Sequence, residues 1–147
     1  WGITLCIRRR FVRGLQRDYN GKVQTLNRLI SDYPESQYMD DALYEQGRAF
    51  VQMEDNANAI ARFNILVKKF PESNVARRAA NEIGLLYYQD DKYPEAIQAY
   101  KQVIASYPGS EEARLAQRDL KSIYIDLNKV DEYANFASTI PAVPTLM

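Results

Sequence analysis

One four-residue phrase recurs three times in the chain: Tyr33-Pro34-Glu35-Ser36, Phe70-Pro71-Glu72-Ser73 and Tyr107-Pro108-Gly109-Ser110. Its prolines fall 37 residues apart, and then 37 again. Self-similarity at a fixed period of this size is the signature of a stacked repeat array. The phrase has a local meaning as well. Proline lacks the N–H needed to continue a helix and pushes the residue before it out of the α region. The serine two places on is a good N-cap, because its hydroxyl accepts from the free amides of a new first turn. Each copy is therefore expected to end one helix and open the next.

The stretches between the phrases carry apolar residues at helical spacing. Val23, Leu26, Leu29 and Ile30 share a face up to Tyr33-Pro34. A helix is expected over about residues 37–53, burying Leu43, Gly47 and Phe50, with a break at Glu54-Asp55-Asn56. A second helix then carries Ile60, Phe63, Leu66 and Val67. The third unit repeats the plan with Ala80, Ile83, Gly84 and Tyr87, a turn at Asp90-Asp91-Lys92, and Ala96, Tyr100, Val103 and Ile104. Pro94 suits the first position of that second helix. The fourth unit starts at Ser110 with Leu120, Tyr124 and Leu127, turns at Asn128-Lys129, and runs through Tyr133, Phe136 and Ala137. Residues 1–19 are the least regular, with Ile3, Ile7, Phe11 and Leu15 spaced by four and Arg8-Arg9-Arg10 interrupting the pattern.

These residues resemble the tetratricopeptide repeat, whose consensus is W-x2-L-G-x2-Y, then A-x3-F, then P. The second unit has Leu43-x2-Gln46-Gly47-x2-Phe50, Ala59-x3-Phe63 and Pro71. The third has Ala80-x2-Ile83-Gly84-x2-Tyr87, Ala96-x3-Tyr100 and Pro108. The fourth departs: Lys121 replaces the glycine and Tyr133 the small residue. In the first, Arg10 and Arg13 stand where glycine and an aromatic are expected. The resemblance implies an all-α fold, an α-solenoid of antiparallel helix pairs forming a right-handed superhelix of about 3.5 repeats. On this reading the chain is a single domain with repeats at about 1–34, 35–71, 72–108 and 109–140, followed by a tail at 141–147. The period, three longer than the usual ~34, looks like that of a bacterial subgroup. It resembles the lipoprotein of the outer-membrane β-barrel assembly machine and the periplasmic coordinator of the Tol–Pal system, which implies a periplasmic or outer-membrane-associated location.

Composition narrows the function. Nineteen basic and nineteen acidic residues cancel, which argues against nucleic acid or an anionic membrane as the main partner. There is no histidine, so Ser/His and Cys/His catalysis, histidine metal sites and the usual near-neutral acid–base group are excluded. Cys6 is alone, so no intramolecular disulfide forms. No apolar run approaches the ~18 residues of a membrane span. The start, Trp1 to Ile7, makes a poor signal peptide and lacks a methionine, so the chain reads as a piece of a longer protein.

Asp40-Asp41, Asp90-Asp91 and Glu111-Glu112 are the acidic pairs, but adjacent helical residues point about 100° apart and do not converge as a catalytic dyad or metal site. No phosphate loop, nucleophile elbow or C-x-x-C is present. Arg8-Arg9-Arg10 is a short run in a neutral chain, and the repeating aromatics Phe50, Phe63, Tyr87, Tyr100 and Tyr124 read as core.

The other face of each first helix is more informative. Asp41, Glu45, Arg48 and Gln52 point away from the buried stripe, with Tyr44 and Val51 at its edges. The next unit gives Arg78, Asn81, Glu82, Leu85 and Gln89, with Tyr88 at an edge. In the family this resembles, first helices line a concave groove that takes extended or helical peptides. The expected partner-binding residues are thus Tyr44, Arg48, Val51, Arg78, Asn81, Leu85 and Tyr88. The subclass that grips a C-terminal carboxylate is rejected, since Glu45 and Glu82 would repel one. The alternative for Leu85, Val51 and Tyr88 is packing between adjacent first helices.

The expectation is a non-catalytic protein-binding scaffold with no cofactor and no metal. Its partners would be a protein or peptide, with neither nucleic acid nor membrane insertion. A homodimer is expected through the first helix, whose Ile3, Leu5, Ile7, Phe11 and Val12 exceed what one neighbour covers. The rivals are a structural spacer or oligomerisation module of a larger protein, and part of an enzyme.

Overall fold

The aromatic-Pro phrase ends each helix in the same way. In the computed structural model of the protein, which describes residues 19–33 and 38–140, Phe70 and Tyr107 adopt almost identical backbone angles, φ −130°, ψ 57° and φ −129°, ψ 57°. The proline after each disfavours the α conformation. The amides of Tyr33, Phe70 and Tyr107 close the last turns on Leu29, Leu66 and Val103 at 2.9, 2.8 and 2.9 Å. Seven helices result among the described residues: α1 Tyr19–Asp32, α2 Met39–Gln52, α3 Asn56–Lys69, α4 Asn74–Gln89, α5 Tyr93–Ser106, α6 Glu111–Asp126 and α7 Val130–Ala137.

The serines behave as expected where they are described. Ser73 Oγ accepts from Val75 N–H at 3.3 Å and donates to Asp40 Oδ2 at 2.7 Å. Ser110 Oγ accepts from Ala113 N–H at 3.0 Å and donates to the Tyr107 carbonyl at 2.6 Å. Ser36 lies outside the described residues; α2 begins at Met39, two residues after the expected start, with Tyr38 in the cap position and no side-chain cap bond. Pro94 sits one place inside α5, after Tyr93, where a missing N–H still leaves no intrahelical bond broken.

The turns inside each pair share one construction. Glu54, Asp91 and Asn128 have φ of 61°, 59° and 57°, and they too are 37 residues apart. After each, the next amide reaches back to the helix: Asp55 to the Phe50 carbonyl at 2.9 Å, Lys92 to Tyr87 at 2.9 Å and Lys129 to Tyr124 at 2.7 Å. The left-handed residues bond likewise, to Val51, Tyr88 and Ile125 at 3.0, 3.0 and 2.9 Å. This double closure is the Schellman motif, usually made by glycine. Here Glu, Asp and Asn make it, in ascending order of tolerance for φ > 0.

The chain divides into two compact units, Trp1–Ala79 and Ala80–Met147. In the first, α2 packs on both α1 and α3. Gly47 permits the second contact: a Cβ there would overlap the Phe63 ring, and Phe63 is fully buried with Ala59 and Leu66. Leu26, Leu29 and Ala42 form the α1–α2 core, flanked by Ile30. Gln46, in the place the consensus gives to leucine, is fully buried. Its Nε2 donates to the Val23 carbonyl at 3.1 Å and Asn27 Oδ1 at 2.7 Å, tying α2 to α1.

In the second unit the same device joins α4 to α5. A Cβ on Gly84 would lie 2.6 Å from Tyr100 Cε1, and Tyr100 is fully buried with Ala96 and Val103. Its hydroxyl donates to Asp119 Oδ2 on α6 at 3.2 Å. The last pair, α6 and α7, lacks the glycine and the aromatic opposite it. Lys121 is exposed, and no residue of α7 is buried. Tyr133 instead tilts against Tyr124, ring centroids 6.2 Å apart. Lys101 reaches over the Phe136 ring at 4.9 Å. The expected end helix carrying Ile3 to Val12, the Arg8-Arg9-Arg10 run and the 141–147 tail lie outside the described residues.

Candidate partner-binding face

The helix period places the outward residues of α2 and α4, and the structure shows which of them are exposed. On α2, Arg48 is exposed and Val51 half-buried. Tyr44 is buried, its ring 5.8 Å from that of Phe63. The Arg48 guanidinium lies 5.9 Å from the Tyr44 ring centroid, so Tyr44 serves as a floor that holds Arg48 rather than as open surface. Lys22 Nζ meets Glu45 Oε2 at 2.6 Å, which leaves that carboxylate partly neutralised. Asp41 has its carboxyl raised above the ordinary range by burial, with the charges of Asp40 and Glu45 adding to it.

On α4, Arg78 is exposed and Asn81 half-buried, with its Oδ1 inside and without a hydrogen-bond partner. Leu85 is 41% exposed, an open apolar side chain on a helix that buries Ile83 and Leu86 beside it. Tyr88 lies three residues on, hence on the same face as Leu85. Its hydroxyl donates to Asp126 Oδ2 of α6 at 2.9 Å. Its ring meets Tyr93 edge to face, centroids 5.8 Å apart at 81°, and the Tyr93 hydroxyl donates to Asp91 Oδ1 at 3.4 Å.

The surroundings of three phenols hold their hydroxyls above the ordinary value, each for its own reason. The hydrogen bond to Asp126 raises Tyr88 above its ordinary value, and burial adds to this. The charge of Asp91 raises Tyr93. Burial, followed by the charge of Asp119, raises Tyr100 well above it.

Asp126 and Tyr93 were not among the residues expected from the sequence. A signal existed for Asp126: it lies 37 residues after Gln89, which the helix period had placed on the outward face. Tyr93 carried none, since it starts a second helix and comes beside Tyr88 only through the turn.

Among the described residues no group of His, Cys, Asp or Glu forms a metal-holding cluster, and no helix is long and apolar enough to cross a membrane.

The tetratricopeptide repeat family model matches residues 44–111, and a second model of the same description matches residues 12–36. This is a tetratricopeptide-repeat protein. Such repeats generally mediate protein–protein interaction, and proteins built of them are typically non-catalytic scaffolds that bind protein partners. No curated protein matches the chain. Among solved structures, a Podosopora anserina protein of the kinesin light chain kind, with nearly identical TPR-like repeats, aligns with a TM-score of 0.59. The two are 16% identical over 95% of this chain and 75% of that one. The MamA protein aligns with a TM-score of 0.56 at 16% identity, over 97% of this chain and 98% of its own. These likenesses show the fold, an all-α one of the TPR-like solenoid class.

Proposed function

We propose that this protein is a non-catalytic scaffold that holds a partner peptide or protein against the outward faces of its first helices. Arg48 and Val51 serve on α2, over the Tyr44 floor, and Arg78, Asn81, Leu85 and Tyr88 serve on α4. The observation that carries the reading is Leu85, a large apolar side chain left 41% exposed beside a tyrosine. Interfaces draw affinity from such aliphatic and aromatic area, and from arginine for orientation. The 37-residue period with aromatic-Pro-x-Ser supports grouping the chain with bacterial scaffolds of outer-membrane assembly or Tol–Pal coordination.

The test is Arg48→Ala combined with Leu85→Ala. Both residues are exposed, so helicity and melting should hold while capture of the native partner falls at least tenfold. Full capture by a stable double variant would place binding elsewhere.

A further inference from the structure

The neutral chain hides an uneven charge. Residues 80–147 hold ten Asp or Glu and six Lys or Arg, a net side-chain charge of −4; residues 1–79 hold nine and thirteen, a net of +4. In the acidic unit the carboxylates of Asp91 and Asp126 stand at the corner where the exposed face of α4 ends. Asp126 is the last residue of α6, and Gln89 the last of α4. Neither helix has a basic residue in its final turn, so beyond the backbone closures no side-chain cation offsets the partial negative charge of either C-terminus there. Among the described residues Asp126 has the Tyr88 hydroxyl as its partner and no lysine or arginine in ion-pairing distance. Asp119, further back on α6, is occupied by Tyr100 and by Arg118, whose Nε lies 3.5 Å away. Lys92 and Lys129 in the adjoining turns are exposed and pair with neither Asp91 nor Asp126.

Resting on the binding role above, we infer that the segment seated on this unit is a basic–apolar peptide. A lysine or arginine side chain fits against Asp126, over the Tyr88 and Tyr93 rings, and an aliphatic side chain one turn away covers Leu85. Three features select a cation over an anion or a purely apolar partner. The unit's net charge attracts it at long range. Tyrosine faces favour a cation by their quadrupole. The carboxylate of Asp126 accepts its hydrogen bonds while keeping that of Tyr88, since a carboxylate offers about four lone-pair sites. An acidic segment would meet repulsion from every one of these.

Fluorescence anisotropy with three labelled probes tests this: repeats of Ala-Leu-Ser-Arg, of Ala-Leu-Ser-Glu and of Ala-Leu-Ser-Gln. The arginine probe should bind tightest, by about fivefold over the glutamine probe, and the advantage should shrink with added salt. Asp126→Asn should erase that advantage. Asp126→Lys should invert it in favour of the glutamate probe; a lysine suits the end of a helix, so this variant keeps its fold. If all three probes bind alike and Leu85→Ala weakens all three, the apolar face binds but the basic partner is wrong. If the arginine probe keeps its lead in Asp126→Lys, or if no probe binds, the inference is overturned. The Arg48/Leu85 capture experiment decides the broader scaffold reading separately.

Discussion

The pairs α2/α3 and α4/α5 are built around a missing side chain, while α6/α7 is not. In the first two, glycine lets an aromatic ring lie against the partner helix backbone, and the ring is fully buried: Phe63 on Gly47, Tyr100 on Gly84. In the last, the two positions are reversed in size. Lys121 stands for the glycine and is exposed, Tyr133 takes the small position, and Ala137 takes the aromatic one. The contact then rests on half-buried Tyr133 beside the buried Tyr124, while the half-buried Phe136 lies under Lys101 of α5. Close packing of backbone against ring fills space that a tilted ring contact leaves partly open to water. The lesson is that a shared period does not bring a shared strength of packing.

The contrast breaks most sharply by deleting rings. Tyr100→Ala leaves a cavity in a closed pair and should cost about 3–5 kcal/mol, whereas Phe136→Ala on the open α7 should cost about 1 kcal/mol; urea unfolding of both variants measures the difference. Equal losses would show that α6/α7 is as tightly closed as α4/α5.

Filling the glycine gives the next largest effect. Gly84→Leu forces the Tyr100 ring out of place and should cost about 1–3 kcal/mol. Lys121→Leu, at the equivalent position of the open pair, should stay within about 0.5 kcal/mol. Thermal melts of the two suffice.

The turns sharpen the comparison from another side, because all three pairs place a left-handed residue at the same position whatever their packing. Glu54→Gly should relieve the φ of 61° and stabilise by about 1 kcal/mol. Asn128→Gly should change stability by a few tenths, since asparagine already tolerates this region. A loss on Glu54→Gly would mean that its side chain holds the turn.

The smallest effect is confined to alkaline solution. Tyr88 and Tyr100 have their hydroxyls raised above the ordinary value of 10.0 in the folded chain. The folded state therefore keeps protons that the unfolded state sheds, so their contribution is intact below pH 10 and declines as pH rises beyond it. Melting temperature followed from pH 9 to pH 12 should fall, and less steeply in Tyr100→Phe. An unchanged slope in that variant would show that Tyr100 ionises as freely in the folded chain as in the unfolded one.

The sequence by itself determined the period, the helix ends at the aromatic-Pro pairs and the two glycine–aromatic pairs. Each of these is set by local rules: proline disfavours the α conformation before it, serine caps, and helical spacing collects the apolar stripe. It also marked the outward residues of α2 and α4, since a period of 3.6 assigns faces without knowing neighbours. Only tertiary structure decided which of those residues are open. Tyr44 looked like an edge residue and became buried floor, because Phe63 comes from a different helix. Tyr88 acquired Asp126 and Tyr93 as companions for the same reason: the three are brought together by the α4–α5 turn and the stacking of α6, across 38 residues of chain. Which side chains become neighbours depends on how helices meet, and that is settled by packing volume and charge between segments, a property no single helix carries.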